Sequence, residues 1–95
     1  MNRNNPLGAS TLALFGAQIA SRFYRASRLG RPSLSAMAEG LVLTPAEQAL
    51  ISTEARDDVD VWCIAPGADA RTLIAAKAFG WLETWQRWDR AQAAA

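Results

Sequence analysis

The chain has 95 residues with about half of them apolar, one cysteine, no histidine and a formal net charge of +1. This length fits one domain with a modest core, and the apolar content excludes a chain that is disordered by composition. No apolar run approaches the ~18–20 residues of a membrane span, and no secretory signal is expected. The single Cys63 excludes an internal disulfide and fits a reducing compartment. The expected location is the cytoplasm, or the interior of a larger assembly or virion.

The charges are unevenly distributed along the chain. Before Glu39 there are five arginines and no acid, namely Arg3, Arg22, Arg25, Arg28 and Arg31. From Glu39 to Asp60 there are six acids and only one base, Arg56. We expect the two segments to face each other within one fold or across a homo-oligomer contact; the alternative is that the arginines bind nucleic acid or an acidic protein. The preference for Arg over Lys, together with many alanines, suggests a bacterial or phage source.

Residues 1–9 form a polar lead-in, and Ser10 or Thr11 is suited to cap a first helix. That helix is predicted to run to about Arg28 or Leu29, where Gly30-Arg31-Pro32 stops it. Its apolar face consists of Leu12, Phe15, Ile19, Phe23 and Ala26, with Gly16 and Ala20 beside them. The opposite flank carries Arg22, Arg25 and Arg28, which suit the negative end of the helix dipole.

Two further helices are predicted in the middle of the chain. Ser33–Glu39 forms a short one with Gly40 as its C-cap, and Leu41–Leu43 is an extended link. Thr44, Pro45 and Glu47 form a capping box that begins the next helix, which runs at least to Arg56. We favour its continuation as a kinked helix to Pro66, with a stripe of Ile51, Ala55, Val59 and Trp62. The alternative is a minimal two-stranded ribbon of 41–43 and 59–64, which is marginal on its own.

Asp69 is suited to cap a last helix over about residues 70–91. Its first half is apolar on almost every side, which predicts burial on every side. Gly80 costs about 1 kcal/mol relative to Ala in a helix interior, so we expect another backbone to approach it closely. The second half carries a stripe in alternating steps of four and three residues: Ile74, Ala78, Trp81, Trp85 and Trp88.

These elements predict an all-α fold, a small bundle of three longer helices and one short helix. Residues 10–92 form the single helical domain, and residues 93–95 form a tail.

The sequence offers little for catalysis. It has no histidine, and therefore neither the usual general base at neutral pH nor the commonest metal ligand. Cys63 lies in an apolar run, where we expect a buried and inert thiol. Glu54, Asp57, Asp58 and Asp60 lack the spacing of a calcium loop and are expected to form an exposed acidic patch. No enzyme activity, cofactor or metal is expected.

A nucleic-acid-binding regulator is the alternative function. The segment 32–51 can be aligned with a helix-turn-helix, but Ser35 and Glu39 occupy positions that should be apolar. Pro45 falls within the would-be recognition helix, which also presents Glu47 and Gln48 to a polyanion.

The tryptophan stripe indicates protein binding. Trp81 lies among residues that must be buried and is expected to be core, whereas Trp85 and Trp88 lie in the last turns, where a small bundle is thinnest. Trp is enriched at interface hot spots. We therefore expect a non-enzymatic adaptor, accessory subunit or inhibitor that docks on a larger protein, or on a second copy. The candidate contacts are Trp81, Trp85 and Trp88, with Arg22, Arg25 and Arg28 as a second contact.

Overall fold

The computed structural model describes residues 10–26 and 32–94, and these residues form five helices and no strand. The helices are α1 Thr11–Ala26, α2 Leu34–Ala38, α3 Pro45–Ala55, α4 Val59–Ile64 and α5 Ala70–Ala94. The predicted all-α class is confirmed. The two-stranded ribbon is not formed, because residues 59–64 are helical.

Short polar side chains begin each helix, and the sequence predicts three of these caps, at Ser10, Thr44 and Asp69. Thr44 and Glu47 form the complete capping box, with distances of 2.9 and 3.1 Å between each side-chain oxygen and the other residue's backbone nitrogen. The hydroxyl oxygens of Ser10 and Ser33 accept from backbone N–H groups three residues later. Asp69 accepts from the N–H of Thr72, and hydrogen bonds from the backbone and side chain of Thr72 hold the pKa of Asp69 below its usual value.

The long helix predicted to run from Thr44 to Pro66 is divided into α3 and α4. The backbone leaves the helix at residues 56–58, and Asp58 begins α4 by accepting from the N–H of Val61. An aspartate side chain competes for backbone donors, which makes it a poor helix interior residue and a good cap. The break changes which residues face inward: Ile51, Ala55 and Val61 are buried, whereas Val59 is 71 % exposed and Trp62 is 40 % exposed.

Helix α5 is the centre of the bundle and contacts each of the other four helices. Four consecutive residues in its first half, Leu73–Ala76, are buried, so at that level α5 is enclosed on every side. The core residues of this half are Leu73, Ile74, Ala75, Ala76, Ala78 and Leu82. The other helices supply Leu12, Ile19, Ala20, Met37, Ile51, Ala55 and Val61.

Helix α1 runs parallel to α5. Gly16 lies against Lys77 and Ala78, and Tyr24, eight residues further along α1, contacts Trp85 and Asp89. The close approach requires glycine, because a Cβ at Gly16 would lie 2.6 Å from Lys77 Cγ and 3.3 Å from the nitrogen of Ala78.

The expectation of a close backbone approach at Gly80 is wrong. A Cβ there would meet nothing within 4 Å. The tight contact lies at Gly16 instead.

Two acids of the predicted acidic patch have structural partners. The carboxylate of Glu54, in α3, accepts from the backbone N–H groups of Thr11 and Leu12 at 3.2 and 2.8 Å. It therefore satisfies donors at the first turn of α1, where the helix dipole favours a negative charge. Asp58 accepts from the ammonium of Lys77 at 2.7 Å. The patch is thus only partly free surface, with Asp57 and Asp60 exposed.

The two glycines of the α1–α5 pair give a matched test of packing. Gly16→Ala is expected to destabilise the fold by about 1–2 kcal/mol, because the added methyl overpacks the contact with Lys77 and Ala78. Gly80→Ala is expected to stabilise it by up to about 1 kcal/mol, since alanine is the better helix former and the space is open. Urea unfolding followed by far-UV circular dichroism measures both. Changes of the same sign would contradict the packing described.

Removal of the Glu54 carboxylate tests the link between α3 and α1. We expect Glu54→Ala to lower the free energy of unfolding by about 1–2 kcal/mol, because two N–H groups of α1 lose a charged acceptor. Glu39→Ala serves as the control. The Glu39 side chain is exposed, so this substitution should change the free energy of unfolding by less than about 0.5 kcal/mol. Equal effects in denaturant unfolding would show that Glu54 does not cap α1.

Candidate interaction surface

An aromatic cluster joins the C-terminal halves of α1 and α5. It consists of Tyr24, Trp81 and Trp85, all partly buried. The ring centroids of Tyr24 and Trp85 lie 5.6 Å apart, with an angle of 74° between the ring planes. Those of Trp81 and Trp85 lie 5.8 Å apart, with an angle of 32° between the planes. Edge-to-face and offset geometries of this kind are favourable for aromatic pairs. The hydroxyl of Tyr24 also donates to the carboxylate of Asp89, which ties α1 to the exposed part of α5.

Trp88 continues the stripe beyond this cluster into solvent. Its side chain is 64 % exposed, and every residue from Arg87 to Ala93 is exposed. The stripe therefore grades from core to surface: Ile74 and Ala78 are fully buried, Trp81 and Trp85 are partly buried, and Trp88 is open. Trp81 packs against the core, as predicted. Trp85 does so as well, so Trp88 is the most exposed of the three tryptophans.

Trp81 is the member of the aromatic cluster that lies on the side facing α4. The ammonium of Lys77 lies 6.0 Å from its ring centroid, within the range of a cation–π contact. Its indole Nε1 is buried without a hydrogen-bond partner among the described residues. An unpaired buried donor costs free energy. Trp81 is therefore held in place by the packing of its ring and not by a hydrogen bond of Nε1.

The structure places Arg22 and Arg25 at the same end of the molecule as Trp88, because α1 and α5 are parallel. Both arginines are exposed. At ~100° per residue, Arg25 lies about 100° and Arg22 about 160° around α1 from Tyr24. Arg25 therefore borders the face of α1 that carries Tyr24, whereas Arg22 lies on nearly the opposite face. Arg28, the third predicted member, lies outside the described residues.

Helix α4 exposes apolar side chains that the sequence pattern did not indicate. Val59, Trp62 and Ile64 are 71, 40 and 41 % exposed, and only Val61 of this helix is buried. The expected stripe assumed one continuous helix, so it assigned Val59 and Trp62 to the core. Cys63 is also exposed, which corrects the expectation of a buried thiol.

A groove of about 430 Å³ lies between α4 and α5. Asp60, Cys63 and Ile64 line its α4 wall, and residues from Ala76 to Arg87 line its α5 wall. Gly80 contributes no side chain at the middle of the α5 wall, which keeps the groove open.

The alternative functional features are weakly represented. Six residues, 39–44, separate α2 from α3, whereas a helix-turn-helix has a turn of about 3–4 residues. Pro45 begins α3 instead of lying within it, and residues 32–55 contain no Lys or Arg. The described residues include no group of three potential metal ligands. None of the described helices is both long and apolar enough to cross a membrane.

Comparison with protein families, with curated proteins and with solved structures finds no match to this chain.

The different environments of Trp85 and Trp88 predict different costs of truncation. Trp85→Ala is expected to destabilise the fold by about 2–3 kcal/mol, because it removes the ring packed between Tyr24 and Trp81. Trp88→Ala should change the free energy of unfolding by less than about 0.5 kcal/mol, as expected for an exposed position. Denaturant unfolding of both variants distinguishes them. Similar losses would show that Trp88 also belongs to the core.

Proposed function

We propose that this chain is a non-enzymatic interaction protein, an adaptor, accessory subunit or inhibitor, that docks on a larger protein through the C-terminal part of α5. The observation that carries the proposal is the 64 % exposure of Trp88, at the end of a stripe whose other members are packed. An exposed indole leaves a large apolar area in water, and Trp is the residue most enriched at hot spots.

The neighbours of Trp88 support this assignment because they are already ordered. Trp85 is held between Tyr24 and Trp81, and Asp89 accepts from the Tyr24 hydroxyl. A partner that binds Trp88 meets a preorganised surface, so less side-chain entropy is lost on association.

The arginines of α1 suit the rim of such an interface. Arg22 and Arg25 are exposed on the half of α1 that carries Tyr24, and Arg28 completes the set predicted from the sequence. Rim charges act mainly on association rate and orientation. We therefore assign them to steering an acidic surface of the partner, with the affinity residing in Trp88.

A binding role also agrees with the side chains that the sequence supplies. No histidine is present, so the exposed thiol of Cys63 has no imidazole to activate it. The proposal places the protein in the cytoplasm or within a larger assembly, where a small subunit of this kind functions by contact alone.

Site-directed photocrosslinking in the native host tests the proposal. A photoreactive p-benzoylphenylalanine in place of Trp88 is expected to crosslink one larger protein, and the same group in place of the exposed Gln18 is not. The crosslinked protein is then purified. It should bind the wild-type chain at least about tenfold more tightly than Trp88→Ala, the size of effect expected for a hot-spot residue.

Trp62→Ala is the matched control, because it removes a second exposed tryptophan from a different helix. It should leave the affinity for the purified partner unchanged. The proposal fails if Trp88→Ala binds as tightly as the wild type, or if crosslinks from position 88 join only copies of this chain.

A further inference from the structure

We propose that the groove between α4 and α5 is a self-association site, in which a second copy of this chain lays its own α5 antiparallel across Gly80 to form a twofold dimer. This interface is separate from the docking surface around Trp88. It gives the protein a second partner, namely itself.

The shape of the groove fits a helix. Its α5 wall runs from Ala76 to Arg87, about 16 Å at 1.5 Å per residue. Gly80, at its middle, has nothing within 4 Å of a Cβ position, so another backbone can approach closely there. Exposed Cys63 and Ile64 form the opposite wall and supply apolar area for the contact.

The charges of the groove select a second copy as the occupant. The bond between Asp58 and Lys77 fixes the beginning of α4 beside Lys77, and Arg87 lies about 15 Å further along α5. Asp58 and Lys77 pair with each other, so the exposed Asp60 is the acid on the α4 wall. On the α5 wall the exposed Arg87 is the base at the far end, and the half-buried Glu83 lies one turn before it. A surface with an acid on one side and a base at the other end is complementary to itself after a twofold rotation.

The register of the dimer follows from this complementarity. A twofold axis midway between Gly80 and Thr84 pairs Gly80 of each copy with Thr84 of the other. The same axis brings Arg87 to the level of Lys77 in the second copy, where α4 begins. Arg87 of each copy then faces Asp60 of the other, and the glycine lies where the two α5 helices cross.

Sedimentation velocity over a range of concentrations, on the full chain, tests the dimer. The wild type is expected to dimerise, and Gly80→Leu to weaken dimerisation at least about tenfold, because the leucine fills the groove. Gly80→Leu enters open space, and far-UV circular dichroism checks that its fold is kept. Arg87→Asp is an independent surface change with the same expected loss, since it places two carboxylates face to face.

Charge exchange provides the sharpest form of the test. Arg87→Asp and Asp60→Arg should each dimerise at least about tenfold more weakly alone, whereas an equimolar mixture of the two variants should dimerise, because both contacts between positions 60 and 87 again join opposite charges. Arg90→Asp is the matched control: it makes the same change on the same helix outside the groove, and its dimerisation should equal that of the wild type.

The single thiol supplies a second readout. Cys63 lines the groove, so its reaction with a bulky maleimide should slow as the protein concentration passes through the dimerisation range. The proposal is overturned if the wild type stays monomeric up to about 1 mM, or if its dimer survives both Gly80→Leu and Arg87→Asp. It is also overturned if Trp88→Ala alone abolishes the dimer, which would place the second copy on the aromatic cluster.

Discussion

The side chain of Lys77 joins three of the five helices, and much of the arrangement depends on it. Its aliphatic stem lies against the backbone of α1 at Gly16, and its ammonium reaches Asp58 at the beginning of α4. A long side chain that buries its stem and keeps its charge at a partly exposed partner covers apolar surface without stranding a charge. The contact fixes α1 parallel to α5 at one level and α4 beside α5 at the same level. The aromatic cluster and the α4–α5 groove lie on either side of it.

The uneven distribution of acids along the sequence has a structural basis in helix beginnings. Glu54 satisfies the first turn of α1, Asp58 caps α4 and binds Lys77, and Asp69 caps α5. Each carboxylate lies where the helix dipole favours negative charge. Glu54 and Asp58 therefore connect helices that are distant in sequence, instead of facing the arginines of α1. The exposed Arg22 and Arg25 are left free for a contact outside the chain.

The local features of the fold were predictable from the sequence, and the features that depend on tertiary contact were not. The capping box at Thr44 and the cap at Asp69 involve residues within one turn, so their spacing is sufficient to identify them. The apolar stripe favours one continuous helix, whereas the low helix propensity of Asp57 and Asp58 favours a break between α3 and α4. Helix propensity alone does not decide between these two effects. Gly16 and Gly80 are both glycines in helices, and only the packing of α1 on α5 shows which one is required. The exposure of Cys63 and Trp62 follows from the same break, because the break changes the face that α4 turns inward. Of the candidate site, the stripe from Trp81 to Trp88 was visible as a pattern, whereas the packing of Trp85 on Tyr24 and the groove required the fold.

The two proposed surfaces share one helix, and this constrains how they can work together. Trp81 contributes to the aromatic cluster through Trp85 and to the groove through its other edge. Its buried Nε1 has no partner among the described residues, so its position is set by packing on both sides. A helix that fills the groove would therefore contact the Trp81 ring, which supports Trp85. Through Trp85 it would affect the orientation of the last turns of α5. If a second copy in the groove orders Trp81, the surface around Trp88 loses less entropy on binding, and self-association and docking become positively coupled. The coupling is measurable as a difference in partner affinity between the wild type and Gly80→Leu, a change that leaves Trp88 itself intact. Equal affinities would show that the two sides of Trp81 act independently.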